Sequence, residues 1–268
     1  MLQKILNFII SIFTYKEESI KEEAVEEEIE EVVDKIVIEE SDTSNLKPVE
    51  EENNSETVIV LDKDKTQENN TQINSNEVYN MLTNKERQTY FKKLGLYTIK
   101  IDNVRGPKQK LAEKIFNTIF LNKKNDTYTE ETDKLLRIIY KSYCASPYMV
   151  DSDWQYFKNF KKSEYKCKCK GKYCNGYPSG IAMKLVMEDQ YLRNYFGVAV
   201  TLTSGVRCTT HNKNVGGVTN SRHKKGLASD KIVSGKSASE VSKVIKVLPI
   251  NRYCYDITKS AVHGDVNL

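Results

Sequence analysis

Two short segments near the C-terminus predict β-strands, the second by its alternation of hydrophobic and polar positions. Leu227 to Val233 ends in β-branched residues and is entered from a loop punctuated by Gly226. Ala261 to Val266 places Val262, Gly264 and Val266 on one face and His263 and Asp265 on the other. Upstream the period changes to that of a helix. Leu111, Ile115 and Ile119 follow Gly106-Pro107, a turn glycine with proline at the first helical position. Leu135, Ile138 and Ile139 predict another helix, capped by Thr129 or a polar neighbour. Ile20, Ala24, Val25, Ile29, Val32, Val33 and Ile36 recur at helical spacing among glutamates and predict an acidic amphipathic helix. Leu2 to Phe13 is an apolar stretch broken by Gln3, Lys4, Asn7 and Ser11, too short to span a bilayer comfortably. It reads either as a secretion or membrane-surface segment or as a hydrophobic docking segment. Residues 41–75 are rich in Asn, Glu, Ser and Thr, and predict a flexible linker.

Charge sharpens this division. Residues 1–75 hold 20 Asp and Glu against 7 Lys, a net charge of −13, whereas the remainder holds 17 acids against 34 bases, a net of +17. The 268 residues suffice for one or two folded domains behind the acidic leader. A basic body suits an anionic partner. Nucleic acid is disfavoured, because the basic residues are scattered and form no helix-turn-helix or zinc-finger pattern.

The candidate chemistry lies on the two predicted strands. The chain has three histidines, and two of them, with one aspartate, make a metal-ligand set. His223 precedes the first strand by a glycine-containing turn, Asp230 lies on that strand, and His263 lies on the last one. Adjacent strands would present all three to one point. Two imidazoles and a carboxylate suit Zn²⁺, and three protein ligands leave the open fourth position that distinguishes catalytic from structural zinc. The bland alternative is three ordinary polar residues.

These residues sit within a longer pattern. Thr203-Ser-Gly-Val-Arg207, His211-Asn212, Gly216-Gly217, Ser221-Arg-His223-Lys-Lys-Gly226-Leu-Ala228-Ser-Asp230 and the closing His263-Gly-Asp265 resemble the D-alanyl-D-alanine carboxypeptidase family. Its members are zinc peptidases of bacterial cell walls, related in fold to the hedgehog signalling domain. The resemblance covers residues 151–268 and implies an α+β zinc peptidase domain with a small antiparallel sheet. It implies His223, Asp230 and His263 as ligands of Zn²⁺. Arg207 would lie beside the substrate carbonyl or carboxylate, where a guanidinium stabilises a developing oxyanion; the alternative is a salt bridge within the fold. Ser221 would support the site rather than react, and His211 would be a hydrogen-bonding scaffold residue. Several branches of the family carry Glu or Asp three residues before the last histidine, where this chain has Ser260. Asp265 is therefore a candidate either for accepting a proton from the catalytic water or for orienting a metal ligand. Asp256 and Glu164 are remoter candidates for the base.

A second resemblance covers residues 78–145. Leu94-Gly-Leu-Tyr97, Asp102-Asn and Gly106-Pro107-Lys before a helix are similar to the small all-α peptidoglycan-binding repeat, with a helical spacer lacking wall affinity as the alternative. Cys167, Cys169, Cys174 and Cys208 suggest a zinc knuckle or, in an exported protein, disulfides; Cys144 and Cys254 carry no readable signal. Together the resemblances imply a zinc-dependent murein peptidase of endolysin or autolysin type. It would act on the stem peptides or cross-links of peptidoglycan at a Gram-positive wall, or be phage-encoded and released at lysis. Residues 1–40 would contact a membrane surface or a partner helix. The alternative is a non-catalytic wall-binding or virion structural protein that keeps the zinc fold.

Overall fold

The computed structural model describes residues 79–268; the apolar N-terminal stretch, the acidic amphipathic helix and the linker of the sequence reading lie outside the described residues. Three helices come first. α1 (Asn84–Leu94) opens with Thr83 and Glu86 capping each other's backbone N–H and closes on Gly95 in the left-handed region. α2 (Pro107–Leu121) starts at the Gly106-Pro107 step, as its sequence demands. α3 (Glu130–Ala145) is capped by the side chain of Thr129. Next come two short 3₁₀ helices, Asp151–Tyr156 and Lys162–Tyr165, and then α4 (Met183–Phe196).

The rest is α+β. Strands β1 (Val200–Ser204), β2 (Ala228–Val233), β3 (Asn251–Asp256) and β4 (Ala261–Val266) form one antiparallel sheet in the order β1-β2-β4-β3. The short helix α5 (Thr209–Asn214) and the 3₁₀ turn Arg222–Lys225 lie between β1 and β2, and α6 (Ala238–Lys246) lies between β2 and β3.

One continuous hydrophobic core links the helical part to the sheet. It runs from Leu82 and Phe91 through Phe116 and Phe120 to Val186, Val262 and Val266. Phe120 of α2 meets Phe157 at 5.3 Å between ring centroids. The Asn194 side-chain amide of α4 donates to the carbonyls of Thr118 (2.7 Å) and Ile119 (3.1 Å), two acceptors in the last turn of α2 that lack a partner within their own helix.

Under the sheet, α4 supplies a buried ionic cluster. Lys231 Nζ of β2 donates to Glu188 Oε1 at 2.7 Å and to Asp189 Oδ1 at 2.5 Å, with all three side chains fully shielded. Asp189 also accepts from Tyr165 Oη (2.8 Å) and Ser229 Oγ (3.1 Å). Burial pulls the Lys231 ammonium towards its neutral form, but the carboxylates of Asp189 and Glu188 outweigh this and hold it charged. Burial pushes the Glu188 carboxyl up despite Lys231, in keeping with its buried Oε2, which has no hydrogen-bond partner. Gly264 of β4 makes room for this group, since a Cβ there would stand 2.3 Å from Glu188 Oε1.

Asp133 of α3 anchors the start of the described chain. Its carboxylate accepts from Tyr79 Oη (2.6 Å), Leu82 N (2.7 Å), Tyr128 Oη (2.8 Å) and Arg137 Nε (2.7 Å). Burial alone would raise its carboxyl pKa, but these donors lower it below the usual carboxylate value. A carboxyl depressed by folding stabilises the fold above its unfolded pKa of about 3.9, and that contribution fades as pH falls towards the folded value. We therefore expect Asp133→Asn to flatten the acid limb of a stability–pH curve below about pH 4, measured by urea unfolding. An unchanged limb would show that Asp133 carries no such linkage.

Candidate metal centre

The register of the sheet assembles the site. Asp230 of β2 is paired with Ser204 of β1 on one side and His263 of β4 on the other, and His263 is paired in turn with Tyr255 of β3. Ser204, Asp230, His263 and Tyr255 thus form a row across one face, while Ser229 and Lys231 turn to the opposite face and α4. His223 arrives from the 3₁₀ turn Arg222–Lys225, which Gly226 ends at φ +67°. Only glycine fits at that position, because a Cβ there would lie 1.7 Å from the carbonyl oxygen of Gly180.

Three ligand-type atoms converge. His223 Nε2 stands 3.2 Å from Asp230 Oδ1 and 3.3 Å from His263 Nδ1, and His263 Nδ1 stands 2.9 Å from Asp230 Oδ1. Three ligands on one tetrahedral Zn²⁺, each at about 2.0–2.1 Å, would be on the order of 3.3 Å apart. His223, Asp230 and His263 are all buried.

The hydrogen bonds behind the ligands set their tautomers. His223 Nδ1 faces the carbonyl oxygen of Gly205 at 2.7 Å, and a carbonyl only accepts, so the ring proton sits on Nδ1. The Nε2 lone pair is left for the shared point. His263 Nε2 faces Asp265 Oδ2 at 3.4 Å and Nδ1 faces Asp230 Oδ1 at 2.9 Å; with a cation at the shared point the ring proton would sit on Nε2 and the Nδ1 lone pair would be free. In that tautomer two imidazole lone pairs and a carboxylate oxygen would face one another with no donor of their own. Such a set is satisfied by a cation.

With no cation bound, the same carboxylates draw a proton to His263 instead. Burial opposes charge on His263, yet its hydrogen bonds to Asp230 and Asp265 prevail and raise its pKa. Burial likewise works against the Asp230 carboxylate, but His223, His263 and Arg207 hold it well below the usual carboxylate range.

The other residues singled out in the sequence fall in distinct places. Arg207 is at the site: Nε donates to Ser204 Oγ at 2.7 Å, and Nη2 pairs with Asp230 Oδ2, the oxygen turned away from the imidazoles. Its backbone N–H donates to the carbonyl of His223 at 3.0 Å. Asp265 lies behind His263, buried, and its carboxylate is gripped by Arg252 through Nε (2.6 Å) and Nη2 (3.0 Å). Ser221 is buried just ahead of the 3₁₀ turn. His211, on α5, is half-buried and lies outside the three-ligand group. Asn212 beside it braces the Gly216-Gly217 loop by donating to the Val218 carbonyl at 3.0 Å.

Two remoter candidates for the base are elsewhere. Asp256 pairs with Val262, one residue out of step with His263, so it faces α6 and accepts from Ser242 Oγ. Glu164 caps its own 3₁₀ turn by accepting from Lys161 N at 2.7 Å. Ser260 is exposed on the β3–β4 turn. Sequence reasoning missed Tyr255, whose ring stacks on His263 at 4.8 Å with an interplanar angle of 27°, and it missed Arg252. The signal for Tyr255 was its register opposite His263, which needs β3 to be recognised as a strand.

Residues 158–265 match the family model described as Peptidase M15, a span that includes every residue of this centre. Over these residues the chain is similar to a peptidase family, and the match supports a metallopeptidase. No curated protein matches the chain.

Proposed function

We propose that this protein is a zinc-dependent murein peptidase that hydrolyses D-amino-acid-containing peptide bonds of peptidoglycan. The single observation that carries the reading is the convergence of His223 Nε2, Asp230 Oδ1 and His263 Nδ1, each turned inward by a partner behind it. Zinc held by His223, Asp230 and His263 would supply Lewis acidity to a carbonyl and a water of pKa lowered towards about 7. The chain's own residues hold and aim it. Arg207, fixed by Ser204 and Asp230, keeps the ligand carboxylate oriented and offers a guanidinium to the oxyanion of the scissile peptide. Tyr255, 45% exposed beside His263, forms a wall against which a stem peptide would pack. The preceding helices α1–α3 would contact the glycan or peptide of the wall, and the acting location would be a Gram-positive envelope or its lysate.

Of the two roles open to Asp265, the geometry favours orientation of the ligand. It meets His263 at Nε2, across the ring from the inward-facing Nδ1, and both its oxygens are engaged by Arg252. We expect Asp265→Asn to weaken zinc affinity by roughly 10- to 100-fold, with activity restored by excess metal. Unchanged affinity with turnover reduced by roughly 10²–10⁴-fold would instead make Asp265 the proton acceptor.

The same engagement of Asp265, with exposed Ser260 at the position where several branches of the family carry an acid, favours one second reading: a wall-binding protein that retains zinc without turnover. Soluble muropeptides separate the two. Incubated with the zinc-loaded protein, they should yield new amino termini or free D-alanine, and a chelator should stop the release until zinc is added back. Binding of muropeptides with no release would leave the second reading standing.

A further inference from the structure

A second cluster of ligand-type atoms includes Cys208, the residue that follows Arg207. After Tyr165 the chain makes a tight loop, reversing where Lys170 (φ +55°) and Gly171 (φ +82°) occupy the left-handed region. Cys167 N donates to the Gly176 carbonyl at 2.7 Å and closes the loop, and Lys172 N donates to the Cys169 carbonyl at 3.0 Å. Cys167, Cys169 and Cys174 line its inside. Cys208, at the N-cap of α5, comes from the opposite side.

The four Sγ atoms all lie within 4.8 Å of one another, and those of Cys169 and Cys174 are 3.5 Å apart. Four sulfurs on one tetrahedral zinc at about 2.3 Å would be on the order of 3.8 Å apart. All four residues are free cysteines, and Cys167, Cys169 and Cys208 are buried. Two disulfides would draw the sulfurs into pairs at about 2.05 Å, whereas here they surround a common point.

Backbone N–H groups are aimed at the sulfurs. Cys208 N donates to Cys167 Sγ, His211 N to Cys208 Sγ and Gly176 N to Cys174 Sγ, each at 3.4 Å. These donors stabilise thiolate over thiol, because the charged sulfur is the stronger acceptor. Gly176 adopts φ +105°, a backbone conformation that strains any L side chain, and a Cβ there would crowd the Lys166 side chain. The cysteines alternate with exposed Lys166, Lys168, Lys170 and Lys172, whose positive charge offsets the anionic sulfurs.

We propose that Cys167, Cys169, Cys174 and Cys208 bind a second zinc ion in a closed tetrathiolate site. Binding exchanges four thiol protons for one Zn²⁺ and leaves the site with a formal charge of −2, with no change of oxidation state. All four positions are filled by protein, so the site is structural. It ties the 166–176 loop to Cys208, the residue next to Arg207. The Gly205 carbonyl that fixes His223 also lies on this connection. The ion would therefore brace the wall of the three-ligand centre from outside. This inference does not depend on the peptidase reading.

The test is metal content and spectroscopy on the full chain. Purified with zinc, it should hold two ions per molecule. Cobalt replacement should give the near-ultraviolet thiolate-to-cobalt absorption of a sulfur-ligated site. Cys174→Ser should lose one ion and that absorption, while His263→Ala should lose one ion and keep it. If Cys174→Ser does not fold, the wild-type cobalt spectrum and its zinc count decide alone. One zinc per chain, with an unreduced mass lower by two or four hydrogens, would overturn the proposal in favour of disulfides. One zinc with all four thiols open to alkylation would overturn it as well. Absence of peptidase activity would alter none of these readouts.

Discussion

His263→Ala is expected to remove one zinc ion per chain and to abolish hydrolysis of murein peptides, with the fold retained. The imidazole supplies one of three converging atoms, 2.9 Å from Asp230 Oδ1 and 3.3 Å from His223 Nε2. Loss of an outer partner of a metal ligand costs roughly 10–100-fold in affinity or activity, and loss of a ligand itself should exceed that. The fold should survive because His263 lies on the site face of β4, whereas the core is carried by Val262 and Val266 on the opposite face. Far-ultraviolet circular dichroism, zinc analysis and a muropeptide assay on one preparation check all three parts. A variant that keeps its full complement of zinc would exclude His263 as a ligand.

The second large effect concerns the opposite face of the same strands. Lys231→Met is expected to destabilise the protein by about 3–5 kcal/mol, the usual cost of removing one partner from a buried ion pair. The reason is the pair of carboxylates left behind. Glu188 and Asp189 are fully shielded, and Lys231 is the cation that both contact, at 2.7 and 2.5 Å. Urea unfolding measures the loss as a shift in midpoint at constant slope. Adding Glu188→Gln to Lys231→Met should recover part of the loss by removing one stranded carboxylate. A cost below about 1 kcal/mol for the single variant would mean that the cluster holds its charge differently.

The convergence of His223, Asp230 and His263 was legible in the sequence because metal chemistry restricts residue types and the period of a strand restricts faces. His263 and Asp265 on one side of β4, with Val262, Gly264 and Val266 on the other, follow from alternation alone. The turn at Gly226 is marked by the one residue that tolerates both its φ and the nearby Gly180 carbonyl. Likewise Gly106-Pro107 and Thr129 marked the starts of α2 and α3.

What escaped did so for definable reasons. Every residue of α4 from Met183 to Leu192 is buried, its polar members included, so no exposed face imprints a helical period. Lys184, Glu188, Asp189 and Gln190 read as surface residues until their partners in the fold are known. Strand β3 fails in the opposite way. Only Cys254 within it is buried, and an edge strand of mostly polar or exposed residues shows no alternation. Tyr255 and Arg252 were missed with it. The role of Asp265 could not be chosen from sequence, because position on a face does not say which imidazole nitrogen a carboxylate meets. The contact at Nε2 is what favours the orienting role proposed above.

The most direct measurement is mass analysis of fragments released from purified peptidoglycan by the zinc-loaded full chain, beside a chelated control and the same control with zinc restored. The account predicts products ending at peptide bonds that include a D-amino acid, absent after chelation and recovered with zinc. Zinc bound at His223, Asp230 and His263 with no zinc-dependent cleavage of any stem peptide or cross-link would contradict it.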